Sequence, residues 1–273
     1  MLSLVATPIG NLGDITLRAV ETLKAADEIW CEDTRHSRVL LDALEIKKPL
    51  VSCHEHNEKA RAAELMDKLA AGKEIAYISD AGMPGISDPG AVLVAACIEH
   101  GMPYTVLPGA NAVLTAAVLS GFEPRRFSFF GFLPRDNKER KQFLKELSSL
   151  NHLAILYESP HRVGATFRLL YETLGDRPAA LCRELTKKFE TCDRGTLSEL
   201  AEKYEAEDPR GECVLLIECA AAEAEASQED IESFLRGALR EGLSVKDAAG
   251  AAAERFGVKK REAYNLALSM KED

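Results

Sequence analysis

The residues in this chain best able to do chemistry fall into seven short clusters. They cover residues 7–14 (Thr-Pro-Ile-Gly-Asn-Leu-Gly-Asp), 32–36 (Glu-Asp-Thr-Arg-His), 54–58 (His-Glu-His-Asn-Glu), 79–88, 108–112 (Pro-Gly-Ala-Asn-Ala), 158–162 (Glu-Ser-Pro-His-Arg) and 183–190 (Arg-Glu-Leu-Thr-Lys-Lys-Phe-Glu). His54, His56 and His161 are of the type that serves as general base near neutral pH, and each also suits an ordinary loop position. His54-x-His56 has no third ligand at a recognised spacing, so no metal site is expected. Arg162, Arg183 and Lys187 are of the type that grips phosphate, or is simply solvated. Asp33 and Arg35 could pair with each other at the surface. The glycines and prolines of residues 7–14 and 79–90 would let backbone come close to a ligand. No G-x-x-x-x-G-K, G-x-G-x-x-G or G-x-S-x-G motif occurs, which argues against standard NTPases, dinucleotide enzymes and α/β-hydrolases.

Each cluster directly follows an apolar run that reads as a strand. In the first half the runs are residues 2–6, 28–31, 50–53, 75–78 and 104–107, and amphipathic helical patterns separate them. This alternation predicts a mainly parallel sheet with helices on both faces, its ligand site outside the carboxyl ends of the strands. After residues 75–78 the chain breaks at Gly82, Pro84 and Gly85. Asp88-Pro89 reads as a helix start, with Asp as N-cap and Pro first in the helix. Residues 121–126 read as a linker into a second alternating block with strands at 127–130, 153–157, 179–182 and 213–219. Asp136 with Glu139, and Thr196 with Glu199, read as capping boxes. The Ala/Glu stretch at 220–226 reads as a second linker. Beyond it the pattern is purely helical, with a turn at Gly257-Val258 and a basic start, Lys259-Lys260-Arg261, to the last helix. This suggests either a helix-turn-helix or a plain helical hairpin. The expected division is an α/β domain at 1–120, a second α/β domain at 121–222 and a helical region at 223–273, with a cleft between the α/β domains as the default site.

The totals bound the function further. At 273 residues the chain suits two domains with a small appendage. Its net charge of −10 argues against non-specific coating of nucleic acid while leaving room for local basic patches. No apolar run is long enough to span a bilayer, and the N-terminus lacks a basic signal region. The seven cysteines are odd in number and form no C-x-x-C pair. Buried thiols in a reducing, cytoplasmic setting are therefore expected.

Taken in order, Thr7-Pro-Ile-Gly-Asn-Leu-Gly-Asp-Ile-Thr16, Glu32-Asp-Thr-Arg-His36, Ser79-Asp-Ala-Gly-Met-Pro-Gly-Ile-Ser-Asp-Pro-Gly90, Leu107-Pro-Gly-Ala-Asn-Ala112, Gly131-Phe-Leu-Pro134, Tyr157-Glu-Ser-Pro-His-Arg162 and Arg183-Glu-Leu-Thr-Lys187 resemble the tetrapyrrole-methylase superfamily, and within it the branch that methylates small-subunit ribosomal RNA. The resemblance covers essentially the whole chain. It implies two α/β domains with S-adenosylmethionine held between them, and methyl transfer to the ribose 2′-oxygen of a cytidine in the decoding region of 16S rRNA. A homodimer is implied by resemblance only. Cofactor-binding positions would be Pro8, Ile9 and Gly10; Gly82, Met83, Pro84, Gly85 and Ile86; Ala110, Asn111 and Ala112; Phe132 and Leu133; and Glu184 and Leu185. Met83 stands where Thr or Asp is usual, and Ala110-Asn111 replaces the more usual Pro-Cys or Pro-Ser. A sulfonium is already an activated methyl donor, so the protein must align the acceptor oxygen and remove its proton. Asp33, His36, His54, Glu158 and His161 are the candidates for that base or for orienting it. Arg35, Arg162, Lys187 and the run Lys259, Lys260 and Arg261 are the candidates for RNA contact. The alternatives are a small-molecule methylase of the same fold acting on a tetrapyrrole, and a non-catalytic RNA-binding module.

Overall fold

A computed structural model describes residues 1–219, 228–240, 242–256 and 258–272. The chain forms two compact units, Met1–Cys219 and Ala220–Asp273. The predicted linker at 220–226 and Gly257 lie outside the described residues.

The first half alternates as its hydrophobic pattern requires. Strand β1 (Leu2–Val5) leads to α1 (Leu17–Ala25), β2 (Glu28–Cys31), α2 (Thr34–Ala43), β3 (Leu50–Ser52), α3 (Glu58–Ala70), β4 (Ile75–Ile78), α4 (Ala91–Glu99), β5 (Tyr104–Leu107) and α5 (Ala112–Ser120). The strands form one all-parallel sheet in the order β3-β2-β4-β1-β5. All four residues of β4 are buried because both faces of the sheet are covered. Ile75 and Tyr77 join the core formed with Leu65, Leu69, Leu93 and Cys97 on one face. Ala76 and Ile78 join the core formed with Leu23 and Leu41 on the other.

The second half runs β6 (Phe127–Phe132), α6 (Asn137–Ser148), β7 (Leu153–Glu158), α7 (Val163–Leu174), β8 (Pro178–Arg183), β9 (Thr191–Thr196), α8 (Leu197–Ala206) and β10 (Cys213–Glu218). Its sheet has the order β6-β7-β10-β8-β9. Strand β10 lies between β7 and β8 and is antiparallel to both, so β6, β7 and β8 run one way and β9 and β10 the other. The exits of β6, β7 and β8 therefore share an edge. The sheet as a whole is mixed, which the strand–helix alternation did not foretell. The apolar run at 213–219 supplies β10, which lies inside the sheet between two neighbours. Strand β9 has no apolar run to announce it, since an edge strand of sequence Thr-Cys-Asp-Arg-Gly-Thr is set by pairing with β8.

Helix α5 joins the two halves. Its residues Val113, Ala116 and Ala117 pack with Ile155, Ala180, Cys182, Val214 and Leu216 of the second sheet. Arg194 ties the helix end down by donating to the carbonyl of Ser120 at 2.7 Å and to that of Leu119.

One predicted helix start differs in detail. Helix α4 begins at Ala91 with Gly90 as N-cap, not at Asp88-Pro89. The reason is that buried Glu58 accepts the Gly90 N–H at 2.7 Å, while the Pro89 carbonyl accepts from Gly85. Asn57 precedes α3 but gives no side-chain cap; its Oδ1 accepts from His54 N–H at 2.8 Å. Thr196 and Glu199 form the expected reciprocal box at α8, and Asp136 accepts the N–H groups of Lys138 and Glu139 at α6.

In the second unit, α9 (Gln228–Arg240), α10 (Val245–Phe256) and α11 (Lys260–Glu272) share a core of Leu235, Ala248, Ala249, Ala252, Ala263 and Ala267. Small side chains let these helices approach closely. Among the described residues, no helix is long and apolar enough to cross a membrane.

Glycine positions give a direct check on this packing. A Cβ at Gly164 in α7 would lie 2.5 Å from the Tyr204 carbonyl oxygen of α8, whereas one at Gly237 in α9 meets nothing within 4 Å. In urea unfolding Gly164→Ala is expected to cost about 1–3 kcal/mol. Gly237→Ala is expected to stabilise the helical unit by about 0.5–1 kcal/mol.

Candidate active site

The loops after β1, β4 and β5 meet because their strands are neighbours in the first sheet. Thr7 and Gly82 exchange a pair of backbone hydrogen bonds, N–H to O at 2.9 and 3.1 Å, which ties the first loop to the central one. Gly82 has φ +78°, and a Cβ there would lie 3.2 Å from Ile9 Cγ2 and 3.7 Å from the Ala110 carbonyl. A side chain at 82 would thus fill the junction of the three loops. From the second half, Leu185 and Lys187 lie against the first loop: a Cβ at Gly10 would stand 2.5 Å from Lys187 Cγ. Gly131, at the irregular end of β6, faces Ser87 Oγ.

Between these loops lies a cavity of about 390 Å³, within the range that holds small-molecule ligands. Of the positions assigned by resemblance to the cofactor, Ile9, Gly82, Met83, Ile86, Asn111, Ala112 and Phe132 line it. Pro8, Gly10, Pro84, Gly85, Ala110, Leu133, Glu184 and Leu185 do not line it. Ile9 and Leu185 pack in one apolar cluster, and Leu133 is buried in the core of the second half. Asn111 caps α5 by accepting the Leu114 N–H at 3.0 Å. Phe132 is half-exposed and tilts against Tyr157, ring centroids 5.6 Å apart.

Of the five candidate bases, only Glu158 reaches the cavity wall. Its carboxylate is buried and accepts from Thr166 Oγ1 at 2.8 Å and from the Ser159 N–H at 2.8 Å, with Arg162 3.4 Å away. Arg162 also donates to the Leu133 carbonyl at 3.1 Å, so it braces the exit of β6. Asp33 is spent on Arg35, whose hydrogen bonds hold its carboxyl down at about 2. His161 pairs with Asp208 at the surface. His36 is exposed on α2. His54 stacks edge-on against His56 and contacts Asn57, its Nδ1 buried without a partner. Among the described residues, no group of three His, Cys, Asp or Glu could hold a metal ion. Lys187 bridges Glu184 and Glu212 at 3.0 Å each. Burial works against its ammonium, yet these carboxylates raise it overall, and Lys187 in turn lowers Glu184.

The cavity is also lined by residues to which the sequence pattern assigns no site role, among them Ser87, Asp88, Tyr157 and Gly211 to Val214. Burial pushes the Asp88 carboxyl up to about 6, reinforced by Glu32 and Asp80, and burial with the Asp88 charge pushes the Tyr157 phenol up to about 12. The Asp88-Pro89 pattern predicts a helix cap at Asp88. Its position three residues before α4, beyond the Gly90 cap, frees it from that role.

Two comparisons decide the family. The tetrapyrrole (corrin/porphyrin) methylase profile matches residues 1–201, and the profile of the RsmI C-terminal HTH domain matches residues 225–271. Ribosomal RNA small subunit methyltransferase I of Synechocystis sp. is 44% identical over 100% of this chain and 99% of its own length. The chain belongs to the ribosomal RNA small subunit methyltransferase I family. The Bacillus subtilis member is 43% identical over 97% of this chain and 93% of its own. This family shares its fold with more distant proteins of solved structure. Diphthine synthase superposes with a TM-score of 0.62 at 16% identity, covering 79% of this chain and 88% of that one. A Thermus thermophilus uroporphyrin-III C-methyltransferase complexed with S-adenosyl homocysteine gives 0.57 at 19% identity, covering 79% and 96%. The fold is thus the tetrapyrrole-methylase arrangement of two α/β sheets with a helix-turn-helix region, and the chain is a methyltransferase.

The buried Glu158 network predicts a stability effect separable from chemistry. Arg162→Ala removes a charge-assisted contact from a buried carboxylate and frees the Leu133 carbonyl. It is expected to cost about 2–3 kcal/mol in urea unfolding. A loss below about 0.5 kcal/mol would show that Arg162 is not part of the brace.

Proposed function

We propose that this protein transfers a methyl group from S-adenosylmethionine to the ribose 2′-oxygen of a cytidine in the decoding region of 16S rRNA. The observation that carries this reading is similarity above 40% identity, over nearly the full length of both chains, to enzymes named for methylating small-subunit ribosomal RNA. The site suits such a cofactor. Three loops meet at a position where a Cβ would intrude, and backbone N–H and C=O groups stand beside an apolar wall of Ile9, Met83, Ile86 and Phe132. Bound there, the sulfonium supplies an activated methyl group.

We assign Pro8, Ile9 and Gly10, Gly82 to Ile86, and Ala110 to Ala112 to its cradle. Phe132, Leu133, Glu184 and Leu185 close it from the second half, so residues 1–120 and 121–222 both contribute. Arg162 and Lys187 are held by carboxylates, and we assign them to bracing the cavity walls. RNA contact falls to exposed cations. Arg35 has 91% of its side chain exposed, and Lys259, Lys260 and Arg261 stand exposed at the start of α11, in the helical region 223–273. Such contacts to phosphate position a strand without reading its sequence. The ribosomal substrate and the free thiols support a place in the cytoplasm.

The homodimer reading has its own support. Helix α5 is apolar all round, and with one face buried on the second sheet it leaves Leu114 and Val118 at 55% and 75% exposure. Tyr104 and Val106 are exposed on the edge strand β5. An exposed apolar helix face and a strand edge unpaired among the described residues suit a second copy of the chain.

Small ribosomal subunits lacking the modification should accept label from S-adenosylmethionine at one cytidine 2′-oxygen. Gly82→Trp should abolish cofactor binding by calorimetry while its circular dichroism stays native. Label on a base, or on a tetrapyrrole instead of RNA, would overturn the assignment. Separately, Val118→Glu should convert a dimer to a monomer in light scattering at micromolar concentration. A wild-type monomer, or an unaffected dimer, would remove α5 from the interface.

A further inference from the structure

The reaction proposed above needs a base, and the cavity contains few groups fit for it. Glu158 is buried and saturated by Thr166, Ser159 and Arg162. Glu212 is mostly exposed and paired with Lys187. The Tyr157 phenol and the Cys213 thiol are both raised, to about 12 and about 11, chiefly by burial, and stay protonated at neutral pH. Asp88 differs from all of these. It lines the cavity, is half-buried, and among the described residues receives no hydrogen bond and no ion pair. It shares the cavity wall with Met83, Ile86 and Ser87 of its own loop and with Tyr157 and Glu158 at the end of β7.

Its surroundings are uniformly acidic or neutral. Glu32 at the exit of β2 and Asp80 at the exit of β4 raise it by their charge, and Tyr157 from the second half faces it as a neutral phenol. No cation is among the groups that shift it. A half-buried carboxylate with no partner among the described residues serves no structural end. Ionised, it disfavours folding. It is instead a proton acceptor whose affinity has been tuned toward neutral pH.

We infer that Asp88 is the general base of methyl transfer, accepting the proton of the ribose 2′-hydroxyl. The inference rests on the 2′-O reading. The O–H bond breaks toward the Asp88 carboxylate, and the oxygen's electron pair forms the new O–CH3 bond. The donor's S–CH3 bond breaks in the same step and leaves its electron pair on sulfur as a neutral thioether. The carboxylic acid then returns its proton to water.

The test compares the wild type with Asp88→Asn and Asp88→Glu on unmodified small subunits, with cofactor affinity measured separately by calorimetry. The wild-type single-turnover rate should fall about tenfold per pH unit below about pH 6, where the carboxylate protonates. Asp88→Asn should lose about 10²–10⁴-fold in rate and show no such limb. Its cofactor affinity should stay within about twofold of wild type, and Asp88→Glu should recover part of the rate and the limb.

Stability separates a base from a structural residue. Burial raises the folded Asp88 carboxyl above its unfolded value, so its ionised form penalises folding above about pH 6, and the penalty fades as pH falls. Asp88→Asn should therefore melt no lower than wild type at pH 7.5. A near wild-type rate in Asp88→Asn, or a loss confined to cofactor affinity, would overturn the inference and leave the 2′-O reading intact. A wild type that places no methyl on a ribose oxygen would overturn both.

Discussion

The pair of hydrogen bonds between Thr7 and Gly82 is the constraint on which the site depends. Parallel strands β1 and β4 emerge side by side, but nothing in a sheet ladder obliges the chain beyond their ends to stay together. The bridge extends the contact past both strands and fixes the loops at van der Waals distance. It requires a left-handed backbone at Gly82 and a site with no side chain, since a Cβ there would press on Ile9. Two buried contacts behind the loop hold the rest in place. The Tyr77 hydroxyl donates to the Cys53 carbonyl, and Glu58 receives the Gly90 N–H. The central loop is therefore held at both ends by groups from other elements.

Charge is arranged around the cavity with comparable economy. Glu58 is buried and used up at the mouth of a helix. Glu158 is buried and used up by a hydroxyl, an amide and a guanidinium. Glu184 and Glu212 share one ammonium. Against this background, a carboxylate facing the same space with no donor stands out by contrast, and its chemistry follows from what its neighbours decline to provide.

Much of this was legible in the sequence. Strand–loop–helix alternation in the first half follows from apolar runs of four residues separated by amphipathic stretches, and β10 announced its central place by its unbroken apolar run. Strand order was not legible. Asp33, His36 and His54 follow β2 and β3, which lie on the far side of β4 from β1 and β5, so residues of promising type ended away from the cavity. Spacing along the chain says which edge of a sheet a loop leaves from, not which neighbours it meets there. Asp88 was hidden differently. Asp-Pro before an apolar periodic run is a strong helix-start signal, and only the distant Glu58, by taking the cap position's N–H, moved the start to Ala91 and released the aspartate. Edge strand β9 depends on a partner and carries no local signal.

Helix α5 has a consequence for how such a protein can change over time. By chain order it closes the first half, yet its buried side chains and the carbonyls of Leu119 and Ser120 belong to the interior and edge of the second sheet. A recombination breakpoint placed in the polar stretch just after it would strip that sheet of its cover and leave Ala180, Leu216 and their neighbours open to water. The two halves are therefore not exchangeable cassettes. An ancestral fusion or swap that survived had to move the helix together with the sheet it covers, and the inherited unit of this fold is longer at its N-terminal side than the apparent linker suggests.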